Sequence, residues 1–227
     1  MICIMNHVSR NIDTQIEILN STEREYKVFT DHTNFARSRE KNLRYIGIVT
    51  NYLNILSYKS DSKYKIVIHD DIPLSEELFE KIDYIMQYAP DRIVSFFNPT
   101  NLLYKSMEES GRHVLQTYKN FWMPCVAFPR SMEEKYIQYA KPFVGHSHYA
   151  EDGLVKKYMT ENNLSAYVVC PSLVQHEGYD KSIFGTPAKV GKNLRNSATY
   201  SPTFDVKEID WKKEFENPVI DKEKYKE

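Results

Sequence analysis

The alternation of short apolar runs with longer segments of helical periodicity is the feature that most constrains the fold of this chain. Residues 1–8 form an apolar, strand-like run, residues 13–19 show the Ile/Leu spacing of a short helix, and residues 25–29 form a second apolar run. A strand, a helix and a strand in succession imply a parallel strand pair, because a helical crossover returns the chain to the same edge of the sheet. The alternation continues with a strand at 64–68 and a helix at 75–88. The sequence therefore predicts an α/β domain with a central, mostly parallel sheet flanked by helices.

The same periodicities predict the remaining elements. They are a helix within 34–58, strands at 92–97, 123–128 and 165–170, a helix at 131–139 and a late helix that passes through 154–159 and ends near 162–163. Ser131 is the expected N-cap of its helix, with Glu134 in the capping-box position. Because regularity fades after Gly191, we expect residues 1–196 to form one domain and residues 197–227 an extended C-terminal arm that wraps the domain or engages a partner.

Composition and charge exclude several classes of protein. Of 227 residues, 41% are hydrophobic and 27% are charged, which argues against disorder, and a formal net charge of −1 gives no overall basic bias for nucleic-acid binding. No apolar stretch is long enough to span a bilayer, and the apolar N-terminus lacks the positively charged lead of a signal peptide. Cys3, Cys125 and Cys170 lie far apart in apolar sequence, which fits free thiols in a reducing compartment. We therefore expect a cytoplasmic protein without a membrane span, from a bacterium or a virus-infected host cell.

Three polar residues, His69, Asp70 and Asp71, directly follow the strand predicted at 64–68. Carboxylates at the carboxyl end of a buried parallel strand lie where open α/β sheets bind ligands. Adjacent aspartates there suit a hard divalent cation such as Mg²⁺ or Mn²⁺, whose remaining positions are filled by water and phosphate oxygens. The alternative is that Asp70 and Asp71 open a loop and cap the helix that starts near Pro73. The residues alone leave both interpretations open.

Two further motifs carry chemistry. Glu151 and Asp152 open a late helix, and residues 170–178 read Cys-Pro-Ser-Leu-Val-Gln-His-Glu-Gly. With the aspartate pair, these motifs resemble glycosyltransferases of the GT-A fold, in several branches of which a similar Pro-Ser-Leu-Val-Gln-His-x-Gly segment lies near the end of the catalytic domain. The likeness covers residues 1–195 in the order of elements and is confined to these three places in motif residues. It implies a single GT-A-like, Rossmann-type domain that binds a nucleotide-diphosphate sugar.

The resemblance also implies a metal site. Asp71 would be the principal ligand of Mn²⁺ or Mg²⁺, His176 a further protein ligand, and Asp70 a contact to ribose or to metal-bound water. His69 departs from the family's pattern of acid, any residue, acid, and is itself an acceptable Mn²⁺ ligand. Without the resemblance, His176 is a lone histidine near a strand end, which is more often structural.

The acceptor side is implied in the same way. Asp152 would be the general base that takes the proton from the acceptor hydroxyl, and Glu151 is the competing choice. Alternatively, both carboxylates merely favour the positive N-terminus of their helix. Trp122 is a candidate for stacking on the acceptor, although buried packing is the commoner role of such aromatic side chains.

Nucleotide contacts rest on element order rather than on a motif. Arg10 after the first strand and Asp31 after the second would hold the base and ribose, and Asn42 in the first long helix would reach the base or diphosphate. Lys192 and Arg195 follow the segment at 170–178 and are candidates for neutralising phosphate, with ordinary surface charge as the alternative.

These observations predict a metal-dependent, inverting glycosyltransferase with a nucleotide-diphosphate sugar donor and a hydroxyl acceptor on a glycan, a protein or a hydroxymethylated DNA base. A nucleotidyltransferase and a noncatalytic nucleotide- or carbohydrate-binding module are the alternatives. The first is disfavoured because residues 6–10, after the first strand, contain no glycine, whereas such enzymes usually carry a Gly-rich loop there.

Overall fold

The computed structural model describes residues 1–33, 35, 40–98, 102–146, 149–175, 197 and 199–223. The strands, numbered in chain order, are β1 (Ile2–His7), β2 (Tyr26–Asp31), β3 (Tyr64–His69), β4 (Val94–Ser95), β5 (Val114–Thr117), β6 (Cys125–Pro129), β7 (Ala166–Val169) and β8 (Val219–Ile220). The α-helices are α1 (Asp13–Ser21), α2 (Lys41–Ser57), α3 (Glu76–Met86), α4 (Leu102–Glu109), α5 (Arg130–Ala140), α6 (Glu151–Glu161) and α7 (Trp211–Glu216). Short 3₁₀ helices lie at Lys141–Phe143 and Val206–Glu208.

Within the described residues, the strands form one eight-stranded sheet in the order β2-β1-β3-β6-β4-β7-β5-β8. β1 pairs in parallel with β2 and β3, β4 with β7, and β5 with β8. β6 is antiparallel to both β3 and β4, and β5 is antiparallel to β7. Five of these eight strands, β1, β2, β3, β4 and β7, therefore run in one direction. The prediction of an α/β domain with a mostly parallel central sheet flanked by helices is confirmed.

Both faces of the sheet are buried under helices. Alternate residues of β1 enter two core clusters: Ile2 and Ile4 pack with α1 and α3, whereas Cys3 and Met5 pack with α2, α5 and α6. Because neither face meets water, the central strands read as continuous apolar runs rather than as alternating ones. The three cysteines are buried and form no disulfide, as the sequence led us to expect.

The first residues of α3 and α5 show which side chains cap these helices. The hydroxyl of Ser75 accepts a hydrogen bond from the backbone N–H of Leu78 and caps α3. α5 follows β6 directly, with Pro129 in the N-cap position and no side-chain cap, so the prediction that Ser131 caps this helix is wrong. The reason is that the N–H of Arg130 still donates to the Lys63 carbonyl beside β3, which leaves no turn between strand and helix.

The C-terminal segment is less extended than expected. Between residues 199 and 223 it contains a 3₁₀ helix, α7 and β8, which pairs with β5 at the edge of the sheet. Trp211 and Phe215 of α7 belong to the same core cluster as α3. The carboxylate of Asp221 accepts hydrogen bonds from Thr117 and Asn120. The described part of this segment therefore wraps the domain.

Candidate functional site

The order β2-β1-β3 places a topological switch point at β1. The chain leaves β1 for β2 through α1 on one face of the sheet and returns to β3 through α2 on the other face. Connections that diverge in this way open a crevice at the carboxyl ends of the strands, where open α/β sheets bind ligands. The N–H of Asp70 donates to the Met5 carbonyl (3.1 Å), and the N–H of His7 donates to Asp70 Oδ2 (2.8 Å). The aspartate pair therefore lies at this crevice.

Arg10, in the turn after β1, binds both aspartates. One guanidinium nitrogen, Nη1, lies 2.7 Å from Asp70 Oδ1 and 2.9 Å from Asp71 Oδ2. All three side chains are mostly buried, so solvent screens these ion pairs only weakly. Burial raises the pKa of Asp70 to about 6, although the Arg10 guanidinium and the hydrogen bond from the N–H of His7 both act to lower it.

The alternative role of the aspartate pair as a helix cap is not what the structure shows. Ser75 caps α3, and the first turn of that helix carries Glu76 and Glu77. Asp70 instead accepts hydrogen bonds from His7 and Arg10, both of which belong to or follow β1. The pair is therefore tied to the neighbouring strand rather than to the helix that follows it.

His69 joins the aspartate pair to the start of α6. Residues alternate along β3, so His69 shares the face of Val67, which packs with α2, α5 and α6. His69 Nε2 lies 3.7 Å from Glu151 Oε1. Burial first, and then the nearby carboxylates of Asp152 and Asp71, together raise the pKa of Glu151 to about 8. Glu151 therefore keeps its proton at neutral pH.

Asp152 and Trp122 are connected through Lys156, which the sequence analysis missed. Lys156 Nζ lies 3.5 Å from Asp152 Oδ2 and 4.7 Å from the centroid of the Trp122 ring, in cation–π contact. The Lys156 side chain is only 8% exposed. The Trp122 carbonyl also accepts a hydrogen bond from Ser95 Oγ (2.7 Å), which fixes this loop to β4. Asp152 and Lys156 are four residues apart in one helix, and this spacing alone would have predicted their ion pair from the sequence.

Asp31 ends β2, on the far side of β1 from the aspartate pair, and lies against α2. Its Oδ1 accepts a hydrogen bond from the N–H of Thr33 (2.8 Å), and the Thr33 carbonyl is 3.2 Å from His7 Nε2. A Cβ atom on Gly47 of α2 would lie 2.1 Å from Asp31 Oδ2, so only glycine allows this approach. Asn42 lies in the first turn of α2, where the backbone alone is described.

Three predicted site residues, His176, Lys192 and Arg195, lie outside the described residues. On either side of residues 176–196, the N–H of Ser197 donates to Gln175 Oε1 (2.9 Å). Among the described residues, no group of three or more His, Cys, Asp or Glu side chains is placed to hold a metal ion. A shared ion between Asp71, His69 and His176 stays a prediction.

No helix within the described ranges combines the length and the apolar character needed to cross a bilayer.

Comparisons with known proteins add little to this geometry. No family model matches the chain, and no curated protein matches it. One similar solved structure is described as the crystal structure of A197 from STIV; it is 10% identical, with a TM-score of 0.34 over 78% of this chain and 85% of that chain. A TM-score this low does not establish a shared fold, so the function is argued from the site itself.

Proposed function

We propose that this chain is a metal-dependent glycosyltransferase that transfers a sugar, with inversion, from a nucleotide-diphosphate donor to a hydroxyl acceptor. The observation that carries the proposal is that two acidic pairs lie together at the carboxyl ends of the central strands. Asp70 and Asp71 follow β3, Glu151 and Asp152 open α6, and His69 connects them through its 3.7 Å contact with Glu151. The first pair serves the donor and its cation, and the second serves the acceptor. Sugar transfer needs both functions side by side, because the acceptor oxygen and the leaving diphosphate act on one carbon atom.

Mn²⁺ or Mg²⁺ is the cofactor that we propose. The Asp71 carboxylate and the His69 imidazole are donor types that Mn²⁺ accepts, and His176 is the further ligand taken from the sequence. When bound, the cation offsets the negative charge that develops on the departing diphosphate. Among the protein's own groups, Arg10 supplies positive charge at the same edge of the sheet.

Asp152 is the better candidate for the general base. Its side chain is 27% exposed, whereas that of Glu151 is 6% exposed. Glu151 already holds a proton at neutral pH, because burial raises its pKa to about 8, and so it has no capacity to take another. Asp152 is open to an acceptor hydroxyl, and the Trp122 ring lies on the other side of Lys156 as a surface for the acceptor.

The test is a donor and acceptor screen with the purified protein and Mn²⁺. Release of UDP or GDP and the mass of supplied glycans, peptides and hydroxymethylated DNA are measured. Asp152→Asn is expected to slow transfer by about a hundredfold or more, because the amide keeps the shape of the carboxylate but takes no proton. Its affinity for the nucleoside diphosphate is expected to stay unchanged. Glu161→Gln, in the same helix with a side chain 47% exposed, is the matched control and is expected to keep the full rate.

Other outcomes would redirect the proposal. Release of pyrophosphate from a nucleoside triphosphate would indicate a nucleotidyltransferase, and binding without turnover would indicate a noncatalytic module. If Asp152→Asn weakens diphosphate binding as much as it slows transfer, the residue belongs to the donor site and its role as the base is wrong.

A further inference from the structure

Arg10 is placed to act as a movable counter-ion of the aspartate pair. Its backbone is fixed, because its N–H donates to the His7 carbonyl (2.9 Å) in the turn after β1. Asp70 is fixed as well, by the N–H of His7 on its side chain and by the donation of Gln15 Nε2 to its carbonyl (3.1 Å). The long Arg10 side chain is therefore the part of this cluster that can change its partner while the strands stay in place.

We propose that Arg10 neutralises Asp70 and Asp71 in the free protein and moves onto the diphosphate of the nucleotide when a divalent cation takes the carboxylates. The inference rests on the proposed function and adds to it a specific role for Arg10 in donor binding. A single nitrogen of Arg10 contacts Asp70 Oδ1 and Asp71 Oδ2, so it occupies one oxygen of each carboxylate. A cation on Asp71 Oδ2 would lie beside a positive guanidinium in a mostly buried site, where their repulsion is poorly screened. Cation and guanidinium therefore compete for the same oxygen atoms.

The displaced guanidinium suits a diphosphate. Its planar, forked donors match phosphate oxygens in a bidentate manner, and it stays charged at any working pH. Arg10 lies in the turn after β1, at the switch point where open α/β sheets bind ligands. The cation and the diphosphate then help each other to bind: the cation releases Arg10, and the diphosphate gives Arg10 a new partner. By linkage, each ligand raises the affinity of the other by the same factor.

The experiment measures Mn²⁺ binding to the full chain by calorimetry and by electron paramagnetic resonance. Mn²⁺ is titrated alone, with inorganic pyrophosphate and with UDP or GDP. The variants are Arg10→Met, which removes the competing charge, and Arg10→Lys, which keeps a charge but not the forked donors that match a phosphate. Arg24→Met is the control, because Arg24 pairs with Asp83 away from the crevice. Circular dichroism of each variant checks that the fold is kept, and Arg10→Lys carries the test if Arg10→Met does not fold.

The expected result has two parts. Arg10→Met binds Mn²⁺ alone about tenfold more tightly than the wild type, and the gain in Mn²⁺ affinity from pyrophosphate, about tenfold or more in the wild type, is reduced in this variant, because only the direct contact between the cation and the phosphate oxygens remains. Arg10→Lys lies between the two, and Arg24→Met behaves as the wild type.

Equal or weaker Mn²⁺ binding by both Arg10 variants, or no Mn²⁺ binding by any form, overturns the inference. Binding of pyrophosphate and Mn²⁺ that is independent in the wild type also overturns it. These readouts need no sugar transfer, so the two proposals fail separately. If Mn²⁺ and pyrophosphate bind cooperatively but no donor supports sugar transfer, the glycosyltransferase proposal is rejected and the role of Arg10 as counter-ion is kept. If sugar transfer is observed but the Arg10 variants bind Mn²⁺ as the wild type does, only the role of Arg10 is rejected.

Discussion

The difference in stability between Glu151→Gln and the wild type should grow in favour of the variant as the pH rises. The Glu151 carboxyl is buried beside His69, Asp152 and Asp71, and its pKa is raised from 4.5 to about 8. Between these two values the native protein holds a proton that the unfolded chain has released. The free energy of unfolding therefore falls with rising pH across this window. The contribution of the retained Glu151 proton to that free energy is full below 4.5, and no more of it is lost above about 8. Glutamine has the same shape as the protonated carboxyl and does not titrate, so the variant escapes this loss.

The magnitude follows from the two pKa values. From about pH 5 to about pH 8, linkage gives a fall of about 3 kcal/mol in the free energy of unfolding of the wild type from this one group. The difference in stability between Glu151→Gln and the wild type is expected to grow by that amount over the same range. Any constant effect of the amide, such as an imperfect hydrogen bond, cancels because only the change with pH is compared.

The assay is urea unfolding at several pH values, with a chelator present so that no metal contributes. Glu161→Gln is the control in the same helix. The hydrogen bond from Tyr139 lowers the pKa of Glu161, so removal of this exposed carboxylate changes stability little and in the opposite sense. If the difference between Glu151→Gln and the wild type is the same at both ends of the range, Glu151 ionises normally in the native protein. The argument that its retained proton excludes it as the base would then be wrong.

Two further variants test contacts of the site. Lys156→Met removes the ammonium group that contacts both Asp152 and the Trp122 ring, so we expect transfer to fall about tenfold through loss of alignment. Lys157→Met, next to it in α6, is the control, and an unchanged transfer rate in Lys156→Met would contradict this role. Gly47→Ala gains about 1 kcal/mol in helix propensity but places a Cβ atom against Asp31, and we expect a net loss of about 1–3 kcal/mol in urea unfolding. Because the added Cβ atom would also lie 2.6 Å from Thr33 Oγ1, alanine at both Asp31 and Thr33 in the same background should restore most of that loss, and additive effects of the changes would show that these contacts are unimportant.

Local pattern was enough to predict most of the sheet, but not the partners of its polar residues. The apolar run before His69 predicts β3, and a strand buried on both faces needs no tertiary information to be recognised. The capping prediction at Ser131 failed, since β6 runs straight into α5 through a backbone hydrogen bond from Arg130 to Lys63, far away in the sequence. α4 was missed, and β4 covers only Val94–Ser95, less than the apolar run at 92–97 suggested.

The site shows the same division. The aspartate pair could be placed at a strand end from the sequence, because the strand pattern stops there. Its pairing with Arg10 could not, since that contact spans about sixty residues and depends on β1 and β3 being neighbours. Because side chains alternate between the two faces of a strand, the sequence predicts which residues of β3 share a face with His69. The helix that covers this face can be known only from the order of the strands in the sheet. The sequence therefore offers Glu151 as a possible base, and only the structure shows that it is buried beside His69, where its pKa is raised to about 8.

The balance of charge in the site explains why the cation and the diphosphate should bind together. In the described part of the site, Asp70, Asp71 and Asp152 are opposed by Arg10 and Lys156, while Glu151 stays neutral, so the cluster is close to balance. A divalent cation alone would meet Arg10 on the oxygen atoms that it needs, and a diphosphate alone would meet a guanidinium already committed to two carboxylates. In the proposed arrangement with both ligands, the aspartates would hold the cation, the guanidinium would hold the phosphates, and no buried charge would be left without a partner. Saturation by UDP or GDP should therefore depend more steeply on Mn²⁺ in the wild type than in Arg10→Met.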